Sequence, residues 1–406
     1  MLTQSPDAPL SRKTLGRIPR SIWALGFTSL FMDISSELVH SLLPLYMMST
    51  LGASLLTIGL IEGIAEATAS VTKAFSGALS DHWRKRKPLA LWGYGLSALT
   101  KPMFPLAASL GWIAAARLVD RIGKGIRGAP RDALVADLTP QEIRGAAYGL
   151  RQALDSIGAL VGPLLAMGFM ILLGGNVKAV LWVACVPAVI AVVLLFAGVK
   201  EPEPAQSEPA KRLRLRDAER LSGGYWLIVV LGGVFTMARF SEAFLILRAQ
   251  SAGLPMAYAP LVMVAMNAAY VAVAYPAGAA SDRVSYKTLL LSGLMALIVS
   301  DLILATATTI WPVLAGAAVW GVHMALTQGL FAKLVADTAP LELRGSAFGV
   351  FNLVTGVAAL FASLIAGAMW NALGPSATFF TGAAFAAIAA AGLSAYRGVP
   401  IKTSHS

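Results

Sequence analysis

From Ser21 to Tyr396 the chain passes through one apolar stretch after another, and this succession limits the possible folds more than any other feature. Each stretch has roughly the 20 residues that a helix needs to cross the hydrocarbon core of a bilayer. Backbone N–H and C=O groups have no water to bond there, so only helices or a closed barrel satisfy them. The stretches are continuous, not short and alternating, and helices are therefore predicted. Composition supports this: of 406 residues 57% are hydrophobic and 13% charged, against roughly 25% charged in a soluble domain. Twelve spans are predicted, centred near Asp33, Glu66, Ala98, Arg121, Ser156, Pro187, Thr236, Tyr270, Leu297, His323, Gly356 and Ala387. The first, Ile22 to Met48, is too long for the core of a signal peptide and no A-x-A site closes it, so it reads as a retained helix.

The formal net charge of +11 does not point to nucleic acid, because of where the charges lie. Basic residues cluster in the N-terminal tail (Arg12, Lys13, Arg17, Arg20), from His82 to Lys87, from Lys211 to Arg216 and from Arg283 to Lys287. The alternate connections, Met48 to Ser54, Ala249 to Pro255 and Asn371 to Ala377, contain no Lys or Arg. That alternation follows the positive-inside rule. It predicts a multi-pass protein of the inner membrane with both termini cytoplasmic, in contact with lipid and not nucleic acid. The polar, Pro-rich and then basic segment 200–221 reads as a cytoplasmic linker. It separates bundles of six helices at 21–199 and 222–397, flanked by tails 1–20 and 398–406. The single Cys185 has no partner at metal-ligand spacing and reads as a small core residue.

The halves repeat. Leu134-Val135-Ala136-Asp137, followed by Pro140, Glu142, Arg144, Gly145, Ala147 and Gly149, returns as Leu334-Val335-Ala336-Asp337 with Pro340, Glu342, Arg344, Gly345, Ala347 and Gly349, 200 positions later. Gly77 and Asp81 return as Gly278 and Asp282. Parallel six-helix repeats place a substrate site near the midplane between halves. The stretch Gly77-Ala78-Leu79-Ser80-Asp81-His82-Trp83-Arg84-Lys85-Arg86 resembles the loop signature GxxxD-(R/K)-x-G-(R/K)-(R/K) of the major facilitator superfamily. His82 replaces its first basic residue and Arg84 its glycine. Gly158-Ala159-Leu160-Val161-Gly162-Pro163 resembles the GxxxGP signature of the drug:proton antiporter branch. Arg117 and Gly123 match only part of the fourth-helix pattern RxxQGxG, with Asp120 at the Gln position and Arg121 at a Gly. The resemblance implies twelve helices in two pseudo-symmetric bundles, alternating access, and a cavity lined by helices 1, 4, 7 and 10 with 2, 5, 8 and 11 beside them.

Ionisable side chains are costly in hydrocarbon, and their positions carry information. Asp33, Glu37 and His40 share one face of the first helix, and Glu62, Glu66, Ser70 and Lys73 one face of the second. The fourth carries Arg117, Asp120, Arg121 and Lys124, the fifth Arg151 and Asp155, the seventh Arg239 and Glu242, the tenth His323. The outer helices are expected to contribute only Lys101 and Asp301 near or within the membrane. A carboxyl group in a low-dielectric cavity is a candidate proton carrier, and Asp33, Glu37 and Glu66 are placed for it. Arg117 or Arg121 nearby would favour the ionised form, so coupling is expected as competition between proton and substrate. The same charges serve equally as structural ion pairs. Glu62, Lys73, Lys124 and Arg127 lie nearer helix ends and lean that way, since long side chains snorkel. His40 reads as close to the outer surface, and His323 as either a cavity ligand or a packed polar group.

Asp81 and Asp282 are expected to gate by capping helix N-termini at the cytoplasmic face, with Arg84, Arg144 and Arg344 as basic partners. Gly77, Gly158, Gly162 and Pro163 would permit close packing and bending. Gly123-Lys124-Gly125-Ile126-Arg127-Gly128 spells GxGxxG, but no strand precedes it, so it is not read as a dinucleotide loop. No GxxxxGK(S/T) loop, HExxH or GxSxG appears, so neither a nucleotide-driven pump nor an enzyme is expected, nor a cofactor. The expectation is a monomeric, proton-coupled exporter of a small charged or zwitterionic organic molecule. The alternative is a divalent metal ion or chelate, held by Asp33, Glu37, His40 and His323 with methionines such as Met47 and Met263 nearby.

Overall fold

The computed structural model describes residues 16–83, 85–201, 221–281, 284–340 and 343–395, and among these every regular element is helical. In the first half, α1 (Arg20–Ser49), α2 (Leu55–Trp83), α3 (Arg86–Thr100, extended by a 3-10 turn Lys101–Met103), α4 (Leu110–Asp137) and α5 (Arg144–Leu172) form five spans. The sixth is α6 (Val177–Val183) with α7 (Cys185–Gly198). In the second half the seventh span is α8 (Gly223–Met237) with α9 (Ala243–Ser251), followed by α10 (Leu261–Ser281) and α11 (Tyr286–Thr306). The tenth is α12 (Ile310–Thr327) with α13 (Leu330–Thr338), and α14 (Arg344–Leu373) and α15 (Pro375–Ala395) complete the set. Successive spans run in opposite directions, so one end of the bundle carries the 198–223 connection and is called the linker end; the other is the far end.

Nine of the described helical segments are long and apolar enough to cross a membrane. The remaining three spans fall short for local reasons: α3 is brief, α4 is crowded with charge, and the seventh is interrupted. Large apolar side chains point outward, as a lipid-solvated surface requires. Phe75, Trp92, Leu172 and Trp311 are all more than two-thirds exposed.

Helix starts follow capping chemistry. Ser109, Asn176, Ser222 and Ser285 each accept a backbone N–H from the first turn of the helix they precede, satisfying a donor that has no partner inside the helix. The interruption of the sixth span lies just before Pro187, which cannot donate within the first turn of α7. The Ala184 carbonyl there accepts the Ser35 hydroxyl of α1 at 2.7 Å.

The halves meet along three seams. α2 lies against α14, α5 against α10, and α1 touches α9. On the first seam the helices approach too closely for side chains. A Cβ built on Gly63 would stand 2.9 Å from the Leu360 carbonyl oxygen, and one on Gly367 2.5 Å from that of Leu55. Gly59 backs onto the Ser363 carbonyl and Gly356 onto Ala67 and Ser70. These contacts run from the far end toward the middle of the bundle. On the second seam Asn267 donates to the Ala159 carbonyl at 2.9 Å.

Candidate functional site

Between the halves lies a cavity of about 690 Å³. From the first half it receives Glu37 and His40 of α1, Glu66 and Lys73 of α2, and Arg121 and Lys124 of α4. From the second it receives Arg239 and Glu242, an aromatic wall of Phe235, Phe240, Trp320, Phe331 and Phe351, and the polar side chains of Asn352 and Thr355. Charge concentrates on one wall and aromatic surface on the other.

Two broken helices shape the second wall. α8 stops at Met237 and α9 begins at Ala243, so Arg239, Phe240, Ser241 and Glu242 line the cavity from a break in the helix, where only short turn bonds such as Arg239 N–H to the Thr236 carbonyl remain. Ser241 is held there by its N–H, which donates to the Ser363 hydroxyl at 3.1 Å. Glu242 sits at the N-cap position of α9, where a carboxylate meets the positive end of the helix. The tenth span breaks at Gln328 and Gly329; Gly329 has φ +75°, a left-handed conformation that glycine adopts without a Cβ clash. Irregular backbone at membrane depth is tolerated where it lines a cavity, and interrupted helices mark transporter substrate sites.

Several charges read as cavity groups from sequence lie behind the wall. Arg117 forms a two-pronged pair with Glu62, at 2.6 and 3.1 Å, and both are almost fully buried. Asp120 accepts from Lys101 at 3.0 Å, and Lys101 also reaches the Ser36 hydroxyl. Arg127 bonds Ser97 and stacks over Tyr94. Arg151 and Asp155, paired at 2.8 Å, join Arg131 and Asp132 in a separate group where α4 meets α5. For Arg117, Asp120, Arg151 and Asp155 ion pairing within the bundle describes the arrangement. His323 is fully buried; its Nδ1 bonds the Gly293 carbonyl at 2.7 Å and its ring packs against Phe235, so it backs the wall without lining the cavity. The alternative metal set is not assembled: among the described residues no group of three His, Cys, Asp or Glu side chains is placed to hold a metal ion, and His323 bonds the Gly293 carbonyl outside the cavity lining. Asp33 also lies outside the lining.

Other residues move in the opposite direction. His40 lies in the cavity wall, 3.5 Å from Glu37 and 3.9 Å from Glu62, and not at an outer surface. Lys73 and Lys124, read as snorkelling, face the cavity. Snorkelling and cavity lining use the same long stem, and only the direction of the helix face separates them. Glu66 pairs with Arg121 at 3.0 Å. Lys73, Lys124 and Arg239 make no direct ion pair among the described residues. The aromatic wall and both breaks went unread in the sequence. The signals present were Arg239-Phe240-Ser241-Glu242 and Thr327-Gln328-Gly329, polar interruptions in otherwise apolar spans.

The GxxxGP glycines seat α5 against the acidic face of α1. A Cβ on Gly158 would meet the Leu30 carbonyl oxygen at 2.6 Å and the Asp33 Cβ at 3.0 Å; one on Gly162 would meet the Ile34 carbonyl oxygen at 2.8 Å and the Glu37 Cβ at 2.9 Å. Pro163 follows inside α5 without ending it. Among the gate residues, Arg84 and Asp282 lie outside the described residues, as does the side chain of Asp81. Gly77 approaches Ala129 of α4. Arg144 is exposed, and Arg344 donates to the Ala336 carbonyl at 3.0 Å, within its own half. Among the described residues, Glu201 caps a helix at this end, accepting the backbone N–H groups of Arg86 and Lys87 at 2.7 and 2.9 Å.

Comparison with known proteins agrees with this architecture. The family model of the Major Facilitator Superfamily matches residues 25–267 and 228–405. An uncharacterized MFS-type transporter of Methanocaldococcus jannaschii is 30% identical over 379 residues, covering 91% of this chain and 93% of the relative. The multidrug resistance protein MdtH of Photorhabdus laumondii is 28% identical over 139 residues, 34% of each chain. The solved structure of a D-xylose-proton symporter superposes with a TM-score of 0.75 at 15% identity, covering 94% of this chain and 97% of that one. A repeated six-helix bundle, a polar cavity between its halves and this likeness over nearly the whole length lead to one assignment: the chain belongs to the major facilitator superfamily, and it is a multi-pass membrane transporter and not an enzyme.

Proposed function

We propose that the chain is a proton-coupled exporter, acting as a monomer in the inner membrane, whose substrate is a small charged or zwitterionic organic molecule with an apolar body. The observation that carries this reading is the two-sided cavity. Lys73, Lys124 and Arg239 offer cations without direct ion-pair partners to an anionic group. Phe235, Phe240 and Phe351 offer flat apolar surface to a ring or chain. Glu37 and Glu242 are available to an ammonium group, which favours a zwitterion over a simple anion.

Glu37 and Glu66 face the same water-filled space as the substrate, so either can exchange a proton against it. Asp33, one turn from Glu37 and seated on Gly158, is the third candidate. Export is supported by the GxxxGP run and by the partial similarity to the multidrug resistance protein. The positive-inside pattern assigns the linker end, with both termini, to the cytoplasm.

The test is transport into proteoliposomes under an imposed pH gradient, with a panel of zwitterionic and anionic aromatic compounds. Asp33→Asn, Glu37→Gln and Glu66→Gln are compared with the unaltered chain. At least one is expected to lose gradient-driven accumulation while keeping substrate exchange. Full gradient dependence in all three would remove these carboxylates from the coupling step.

A further inference from the structure

Asp301 is an acid without a visible reason to be one. It lies on α11, an outer helix, and is fully buried, and neither carboxyl oxygen has a hydrogen-bond partner. Its surroundings are Gly382 of α15 and Phe240 of the broken seventh span: a Cβ placed on Gly382 would stand 2.6 Å from Asp301 Oδ2 and 2.8 Å from the Phe240 ring. Phe240 itself lines the cavity. The carboxyl group therefore lies close to an aromatic ring that borders the central space.

The internal repeat shows what packing alone would do at this position. Residues 101 and 301 are equivalent under the 200-residue offset, as are 120 and 320. In the first half Lys101 is satisfied by Asp120 and Ser36. In the second half an acid replaces the lysine, and Trp320 replaces the aspartate. The ion pair is not rebuilt, and the Trp320 indole N–H is itself without a partner. A structural role would be met by any apolar residue here. Burying a polar group without a partner is unfavourable, so retention of the carboxyl group asks for a use.

None of the charged and titratable groups of the neighbouring elements bonds Asp301. Arg239 and Glu242, on either side of Phe240, face the cavity. Arg248 of α9 bonds the carbonyls of Leu304 and Ala307 and the Ser251 hydroxyl. His323 of α12 bonds Gly293. α15 carries no titratable group between Pro375 and Ala395. Nothing in this set stabilises an ionised Asp301.

We propose that Asp301 is a proton-binding site outside the substrate cavity, carried as the neutral acid in this conformation and opened to cavity water when Phe240 moves. On opening, the Asp301 O–H bond breaks and the proton passes to water, leaving a carboxylate that the free Trp320 N–H can meet. The site lies between the cavity wall and the far end, so it lets the broken segment of the seventh span sense proton occupancy. Its use in a transport cycle rests on the proton-coupled reading above; its existence does not.

Infrared difference spectroscopy on the full chain in liposomes tests the site with no substrate present. The C=O stretch of a protonated carboxyl group should be present at neutral pH, vanish in Asp301→Asn, and shift in position in Asp301→Glu, which guards against a folding defect in the first variant. Its exchange in heavy water should be slow, and Phe240→Ala should speed it by about tenfold or more, as expected when a local opening step controls exchange. A neutral-pH spectrum unchanged by both Asp301 substitutions would overturn the proposal, as would exchange indifferent to Phe240→Ala. If these bands behave as expected while transport shows no gradient dependence, the coupling reading fails and the proton site stands.

Discussion

The α2–α14 seam is expected to hold the far end shut, and Gly63 is where that idea is most exposed to test. A methyl group at this position would stand 2.9 Å from the Leu360 carbonyl oxygen and 3.0 Å from its Cα. Both are backbone atoms and cannot rotate away, so Gly63→Ala must separate the helices by several tenths of an ångström. Overpacking a tight interface costs about 1–3 kcal/mol. If the contact exists only in the closed state, the whole cost falls on that state. A bias of this size changes a two-state equilibrium by roughly 5- to 150-fold. Spin labels at Ser54 and Ala372, exposed positions on either side of the far end, would report it as a distance distribution. Cys185, half-buried and the only native cysteine, is first replaced by serine. Gly63→Ala should enrich the longer far-end distance. Gly95→Ala, at a glycine with open space around its Cβ position, should not. Unchanged distances in Gly63→Ala would mean that the seam is an invariant hinge present in both states, and the gate would have to be sought elsewhere.

Two further outcomes follow from the ion pairs and caps. Arg117→Leu leaves Glu62 buried without its partner, and thermal unfolding in detergent should show a loss of about 3–5 kcal/mol, with part of it recovered by adding Glu62→Gln; equal stability of the single variant would show that the pair does not hold α2 to α4. Glu201→Gln removes the charge that caps α3, a change worth about 0.3–1 kcal/mol at an exposed helix end, so amide exchange in the first turn of α3 should accelerate by a small factor while the middle of α4 is unaffected.

What could be read from the chain, and what could not, follows from the range of each interaction. Twelve spans and a two-fold repeat are encoded locally: Leu134 to Asp137 and Leu334 to Asp337 can be aligned without knowing where either helix points. The small-residue spacing of Gly158 and Gly162 is likewise local, and the structure supplies its counterpart, the Asp33 and Glu37 turns of α1. Which charge meets which is a different matter, because it depends on helix rotation. On α4, Arg117, Asp120, Arg121 and Lys124 occupy little more than two turns, yet Arg117 and Asp120 turn to Glu62 and Lys101 while Arg121 and Lys124 face the cavity. Spacing spreads the four over about 10 Å of helix axis but does not say which way the face that carries each one turns. The break between Met237 and Ala243 is harder still, since no proline or glycine announces it. Its stability comes from contacts outside the segment, chiefly the Ser363 hydroxyl on α14 that accepts the Ser241 N–H. A residue 122 positions away thus shapes the segment that carries Arg239 and Phe240. The cavity wall of the second half is therefore a tertiary product, whereas the charged wall of the first is largely written along its helices.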